Sequence, residues 1–277
     1  MPTDRERNKQ FNAEIKRQLK RRTRLQKDAR HEIRRILKVA LTRIESRLAN
    51  RPSEFDVFSL PQVQQAIRGV LDGVGRELGD SGSQLTDDFF NAGADMVDKP
   101  IQAGGITLRG LIPTIDKTQL LAFQAFITDK MKDVTVTMAN QINTELGLTA
   151  IGAQPLNSAV ANIKTVLQDK GRKRATTILR TELLRAYGVA NQLRKEQAEK
   201  VLPGLKKRWL PSGRTHARTH HEATRGQIQA VDAPFQLLSP GGIIKLSFPR
   251  DPKGGPAETI NCGCESVPYM EHWELAA

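Results

Sequence analysis

Cysteine is almost missing from this 277-residue chain: the two that occur, Cys262 and Cys264, stand one residue apart. No disulfide framework can be built from them, because a bridge across so short a span is strained in ordinary backbone. A reducing compartment is the natural setting. Also missing is any apolar run near the roughly 20 residues that a membrane-spanning helix needs. The opening Met1-Pro2-Thr3-Asp4-Arg5 is charged where a signal peptide places its apolar segment, so a soluble, non-exported protein is expected. Internal repeats and low-complexity tracts are absent as well.

Acidic residues are scarce where basic ones crowd. Residues 1–50 hold 16 Lys and Arg against 6 Asp and Glu, so this stretch carries +10 of the formal charge of +13. Such asymmetry points to an acidic partner: nucleic acid, a membrane surface or an acidic protein. The cations Arg17, Lys20, Arg21, Arg22, Arg24, Lys27, Arg34, Arg35 and Lys38 are the candidate contacts with nucleic acid or protein. A membrane surface ranks last, since the apolar stripe of this segment lacks Trp and its charge outweighs its apolar area.

Helical periodicity organises the first half. Phe11, Ile15, Leu19, Ile33, Leu37, Leu41, Ile44 and Leu48 recur at helical spacing, which predicts one long basic helix from Phe11 to Leu48, either unbroken or interrupted near Thr23, ended by Arg51-Pro52-Ser53. A second helix is predicted from Ser59-Leu60-Pro61 to Leu78, a loop over Gly79–Ser83, and a third helix from Thr86 to Lys99-Pro100. A connector with a short strand at Ile106–Leu108 leads to a helix over Asp116–Leu146, whose stripe includes Phe123, Phe126, Ile127 and Met131. After a Gly147–Pro155 linker, Ser158–Gln168 and Ala175–Lys200 read as helices. Beyond Pro203 the chain turns to Gly, Pro and β-prone runs, with strands expected at Lys207–Leu210, Gln227–Val231, Phe235–Leu238 and Ile243–Phe248. The expected class is α+β: a basic amphipathic helical arm over 1–56, a helical domain over 57–150 and a small α+β module over 151–277.

Three of the five histidines, His216, His220 and His221, precede Cys262-Gly263-Cys264 by about forty residues. Cysteines two apart on a strand share a face and can offer two thiolates to one ion. With His221 they are candidate ligands for zinc, although paired zinc cysteines are more often two to four residues apart. The competing readings are buried small cysteines beside surface histidines, and a Cys262 or Cys264 nucleophile with His221 as base. For the nucleophile the sequence supplies no third, orienting group. Gly254-Gly255 lacks the Lys and Ser/Thr of a phosphate-binding loop and reads as a turn. Trp209 reads as a packing anchor.

Together these residues resemble the carboxy-terminal signature of the Mu F-like phage head morphogenesis family. The residues that carry the resemblance are Arg180-Thr181-Glu182, Ala186 and Asn191; Lys207-Arg208-Trp209; Arg218, His221 and Gly226; Asp232 and Phe235; and the run from Phe248-Pro249-Arg250-Asp251-Pro252 to Asn261-Cys262-Gly263-Cys264. It covers roughly residues 155–268. Two departures stand out: Gly263 where the family usually has Arg, and Thr224-Arg225 where an apolar residue and Asp or His are usual. The resemblance implies a non-enzymatic minor capsid protein that joins the portal protein and other head proteins, resides in the virion head interior or portal region, and passes through the host cytoplasm during assembly. Double-stranded DNA is a further partner that the basic helix suits. The alternative is a metal-dependent nucleic-acid-processing enzyme carried in the virion.

Overall fold

The computed structural model describes residues 3–49, 60–213, 215 and 217–276. Long helices fill the first two thirds: α1 (Asp4–Ala49), α2 (Leu60–Ala103), α3 (Thr118–Ala150), α4 (Leu156–Thr165), a π-helical turn over Val166–Gly171, and α5 (Arg172–Glu199). Short elements follow: β1 (Leu205–Leu210), α6 (Thr219–Ala223), β2 (Ile228–Ala230), β3 (Phe235–Ser239), β4 (Gly242–Leu246), α7 (Gly255–Thr259) and β5 (Glu265–Met270). The layout is α+β. Among the described residues no helix is long and apolar enough to cross a membrane.

The contacts form two compact units, and each gathers separate stretches of chain: Met1–Gln26, Thr86–Leu121 and Arg180–Ala277 in the first, Lys27–Leu85 and Ala122–Leu179 in the second. A linear division at 56/57 and 150/151 follows composition, whereas these groupings follow packing. The residues 51–59 that hold the expected first break and the Ser59 cap lie outside the described residues, as does His216.

α1 runs through Thr23 without a break, the Thr23 hydroxyl donating back to the Leu19 carbonyl at 3.0 Å. α2 is one helix where the sequence predicts two with a loop between them. The glycines explain the difference. In the second unit an added Cβ at Gly82 would sit 2.5 Å from Ile127 Cγ2, and one at Gly79 would sit 3.2 Å from Thr128 Cγ2. These glycines let two helices approach; they do not turn the chain. Pro100 lies inside the last turn of α2, and the helix stops only at Gly104-Gly105, where Gly105 has φ 95°. Phe126, expected in the α3 stripe, is exposed, while Ile127 and Met131 are fully buried. The strand expected at Ile106–Leu108 is absent; an isolated bridge joins Arg109 and Ile112.

In the first unit, Gly93 of α2 faces α5: an added Cβ would lie 2.3 Å from the Tyr187 carbonyl oxygen and 3.0 Å from Ala190 Cβ. Backbone cannot yield there as a side chain can, so Gly93→Ala is expected to destabilise by about 1–3 kcal/mol. Gly73→Ala, where nothing lies within 4 Å, is expected to stabilise by about 0.5–1 kcal/mol through helix propensity alone. Urea unfolding of the two variants checks this, and equal shifts would contradict it.

The same unit holds the module. β1 is central in an antiparallel sheet of order β2-β1-β5, with Lys207 opposite both Gln229 and Pro268. β3 and β4 form a separate hairpin. Alternation along β1 turns Leu205, Lys207 and Trp209 inward. Trp209, Phe235, Leu237 and Leu246 close over Cys262 and Cys264 in one core cluster. Lys207 is buried with them; its ammonium donates to the Ser247 carbonyl at 2.8 Å and stands 5.2 Å from the Phe235 ring centre. Burial pushes its pKa down to about 8, against nearby carboxylates that favour the charged form.

Candidate metal centre

Three elements bring the site together. α6 follows β1 and presents His220 and His221; α7 presents Glu258; and the extended stretch before β5 presents Cys262 and Cys264. Asn261 sits at φ 57°, a left-handed conformation that Asn tolerates, and this turns the chain between α7 and the cysteines. Its N–H donates to Thr181 Oγ1 at 3.4 Å.

His221 is the hub. Trp209 Nε1–H donates to its carbonyl at 3.0 Å, and the indole meets the imidazole edge-on with centres 5.5 Å apart. Its Nε2 lies 2.7 Å from Glu258 Oε2, which also lies 2.7 Å from Nε2 of His220. Its Nδ1 lies 3.6 Å from Cys262 Sγ and 3.5 Å from Cys264 Sγ. His221, Cys262 and Cys264 are all buried. Cys262 is held well below the usual thiol range, foremost by the Cys264 thiol and then by His221 and Arg250, against the effect of burial; Cys264 is pushed up correspondingly. Burial works against a charged His221, but Cys262 and Glu258 outweigh it and raise its pKa.

Beneath the cysteines lies Arg250, fully buried. Its guanidinium donates to the carbonyls of Leu184 at 3.0 Å, Cys262 at 3.4 Å and Cys264 at 2.5 Å, and pairs with Glu265 at 3.3 Å. Arg22 of α1 pairs with the same Glu265 oxygen. A cavity of about 370 Å³ opens on the site, lined by His221, Cys262 and Cys264 together with Ser212, Arg218 and Asn261.

The ligating trio expected from sequence is therefore assembled: His221, Cys262 and Cys264 form a cluster that can bind a metal ion. From the sequence, Glu258 and Arg250 stand only within the run that carries the family resemblance, with no role assigned; the structure makes Glu258 the group that orients His221 and Arg250 the support of the cysteine carbonyls. The available signal was Glu258 lying four residues before Cys262, but it faces histidines 37 and 38 positions away. The cysteines reach one nitrogen from an extended stretch and do not lie on a strand. Other signature residues serve the same neighbourhood: Asn191 Nδ2 donates to the Ser266 carbonyl at 3.0 Å, and Arg218 to the Ile260 carbonyl at 2.9 Å. Glu182 pairs with Arg185 at 2.6 Å, and Arg180 is half-buried on the same helix.

The basic residues of α1 divide. Arg22 is turned inward to Glu265, with 12% of its side chain exposed. Arg17 pairs with Glu14, Arg21 with Asp95, and Arg35 with Glu32 and Glu77. Lys20, Arg24, Lys27, Arg34 and Lys38 are exposed and stand outside those pairs.

No known protein-family profile matches the chain. It is similar to the uncharacterized protein YqbB of Bacillus subtilis, 34% identical over 119 residues that make up 41% of this chain and 37% of YqbB. It is also similar to the NAD(+)–arginine ADP-ribosyltransferase EFV of Enterococcus faecalis, 28% identical over 99 residues, which are 36% of this chain and 19% of that protein. The matched region thus spans well under half of either relative. No solved structure matches.

Proposed function

We propose that this chain is a structural minor head protein of a phage, joined to the portal during head assembly, with zinc holding the carboxy-terminal module and the basic stripe of α1 docking on DNA or an acidic portal surface. One observation carries the reading: the residues of the Mu F-like signature, spread over some 85 positions, interlock around His221, Cys262 and Cys264. Trp209 bonds the His221 carbonyl, Thr181 receives the Asn261 N–H, and Arg250 clamps both cysteine carbonyls. Such a network holds shape. Among the described residues, the lining of the adjoining cavity includes no carboxylate to serve as general base for a metal-bound water. That weighs against the enzyme alternative. The similarity to EFV covers too little of that protein to bring its activity here.

The test is co-purification. Tagged chain is co-expressed with the portal and major capsid proteins of the phage that encodes it, and heads are isolated by sedimentation. The chain is expected to sediment with heads and to be lost from heads made without portal. Its absence from heads, or hydrolysis of nucleic acid that is lost in the folded His221→Ala variant, overturns the reading in favour of an enzyme.

A further inference from the structure

The geometry points to a metal centre with three protein donors, His221 Nδ1, Cys262 Sγ and Cys264 Sγ, whose fourth position is left to an external anionic ligand entering from the cavity beside Arg218. The inference deepens the zinc part of the reading above and does not depend on head assembly.

An imidazole nitrogen has one in-plane lone pair or one proton, so without an ion it makes one full hydrogen bond to sulfur, or two weaker shared ones. Here two sulfurs stand at 3.5 and 3.6 Å from the same Nδ1. A shared ion accounts for both. With Zn–S near 2.3 Å and Zn–N near 2.05 Å, a tetrahedral angle puts nitrogen and sulfur about 3.6 Å apart. The same reasoning excludes the neighbouring group of His220, His221 and Glu258. A nitrogen and an oxygen sharing a tetrahedral zinc would be about 3.4 Å apart, whereas both nitrogens lie 2.7 Å from Glu258 Oε2. These are direct hydrogen bonds. Glu258 is then the outer partner that holds the proton of His221 on Nε2 and leaves Nδ1 free to coordinate.

Among the described residues the cluster has three donors, and all three line the cavity of about 370 Å³. Zn²⁺ with two thiolates is neutral, each thiol having passed its proton to solvent. Arg218 lines the same cavity, with its guanidinium bonded to the Ile260 carbonyl at 2.9 Å, and its positive charge tips the fourth position toward an anion. Among the described residues, the lining outside the three donors offers no carboxylate or further imidazole to turn a bound water into a nucleophile, so the position suits a ligand such as a carboxylate or thiolate.

The test uses the purified full-length protein. Metal analysis is expected to give one zinc per chain, and Co²⁺ substitution to give intense tetrahedral d–d bands with thiolate charge transfer. Titration with azide should shift the d–d bands and saturate. Arg218→Gln should weaken azide binding several-fold while one metal per chain remains. Glu258→Gln keeps all three donors and should bind zinc about 10- to 100-fold more weakly, with folding checked by circular dichroism. Folded protein that retains no metal overturns the centre. A cobalt spectrum indifferent to azide overturns the open position, because the protein then supplies the fourth donor. Wild-type zinc affinity in Glu258→Gln overturns the role of that carboxylate. Because no head protein is present, these outcomes are separate from those of the co-purification.

Discussion

Replacing Arg250 by methionine is expected to lower the unfolding free energy by about 3–5 kcal/mol, the scale for removing one partner of a buried, hydrogen-bonded charge pair. The guanidinium is fully buried and satisfies three carbonyl oxygens from two separate elements, those of Leu184, Cys262 and Cys264, besides Glu265. Methionine fills the volume but leaves the carbonyls unpaired in a dry interior. Arg250 also holds φ at 75°, a conformation that costs on the order of 1–3 kcal/mol for a residue with a side chain. The bonds of the guanidinium offset that cost in the native protein, and methionine keeps the strain without them. Glu265 is shared with Arg22, so each single variant leaves the carboxylate one cation. The double variant leaves it none and is expected to lose more than the two singles added together. Urea titrations followed by tryptophan fluorescence report on this unit directly, since the chain's two tryptophans, Trp209 and Trp273, both lie in it. A loss below about 1 kcal/mol for Arg250→Met would place the network among ordinary surface pairs.

If α1 docks on double-stranded DNA as proposed, changing Lys20, Arg24, Lys27, Arg34 and Lys38 together to glutamine is expected to abolish that binding without unfolding α1. At about 100° per residue, these five side chains fall within an arc of about 80° on the helix, opposite the stripe of Phe11, Ile15, Ile33 and Ile44. All five are exposed, while the stripe is buried. Five phosphates neutralised give a slope of log affinity against log salt of about −4.5. Counting all the cations in this part of the sequence gives a steeper slope, but Arg22 is turned inward and Arg17, Arg21 and Arg35 already face carboxylates. Fluorescence anisotropy of a labelled duplex at several salt concentrations measures the slope. A value near zero removes DNA as a partner and leaves an acidic portal surface.

The inward turn of Arg22 is legible in the helical period. Its angle around α1 falls between those of Ala29 and Ile33, both buried, so periodicity alone puts this cation on the apolar side. What periodicity cannot supply is Glu265, the carboxylate that makes burial tolerable 243 positions away. The glycines of α2 mislead for a related reason. Gly79 and Gly82 look like turn residues in isolation, and only the approach of Thr128 and Ile127 reveals them as contact points. β5 escapes recognition because Glu265–Met270 contains Pro268 and is buried almost throughout, so period-two alternation never shows. At the sheet edge, next to β1 alone, a proline costs no ladder bond that matters.

Local chemistry and spacing determined which faces of the helices are apolar, that the chain is helical before Pro203 and mixed after it, and that His221, Cys262 and Cys264 are the residues suited to a metal. These follow from neighbours in sequence, which the backbone's periods of 3.6 and 2 bring together. The tertiary structure decided that both sulfurs address one nitrogen of His221, that Glu258 and Arg250 support them, and that Arg22 turns inward to pair with Glu265. Each depends on contacts between residues tens to hundreds of positions apart, and such contacts are set by how elements pack, which no local pattern records.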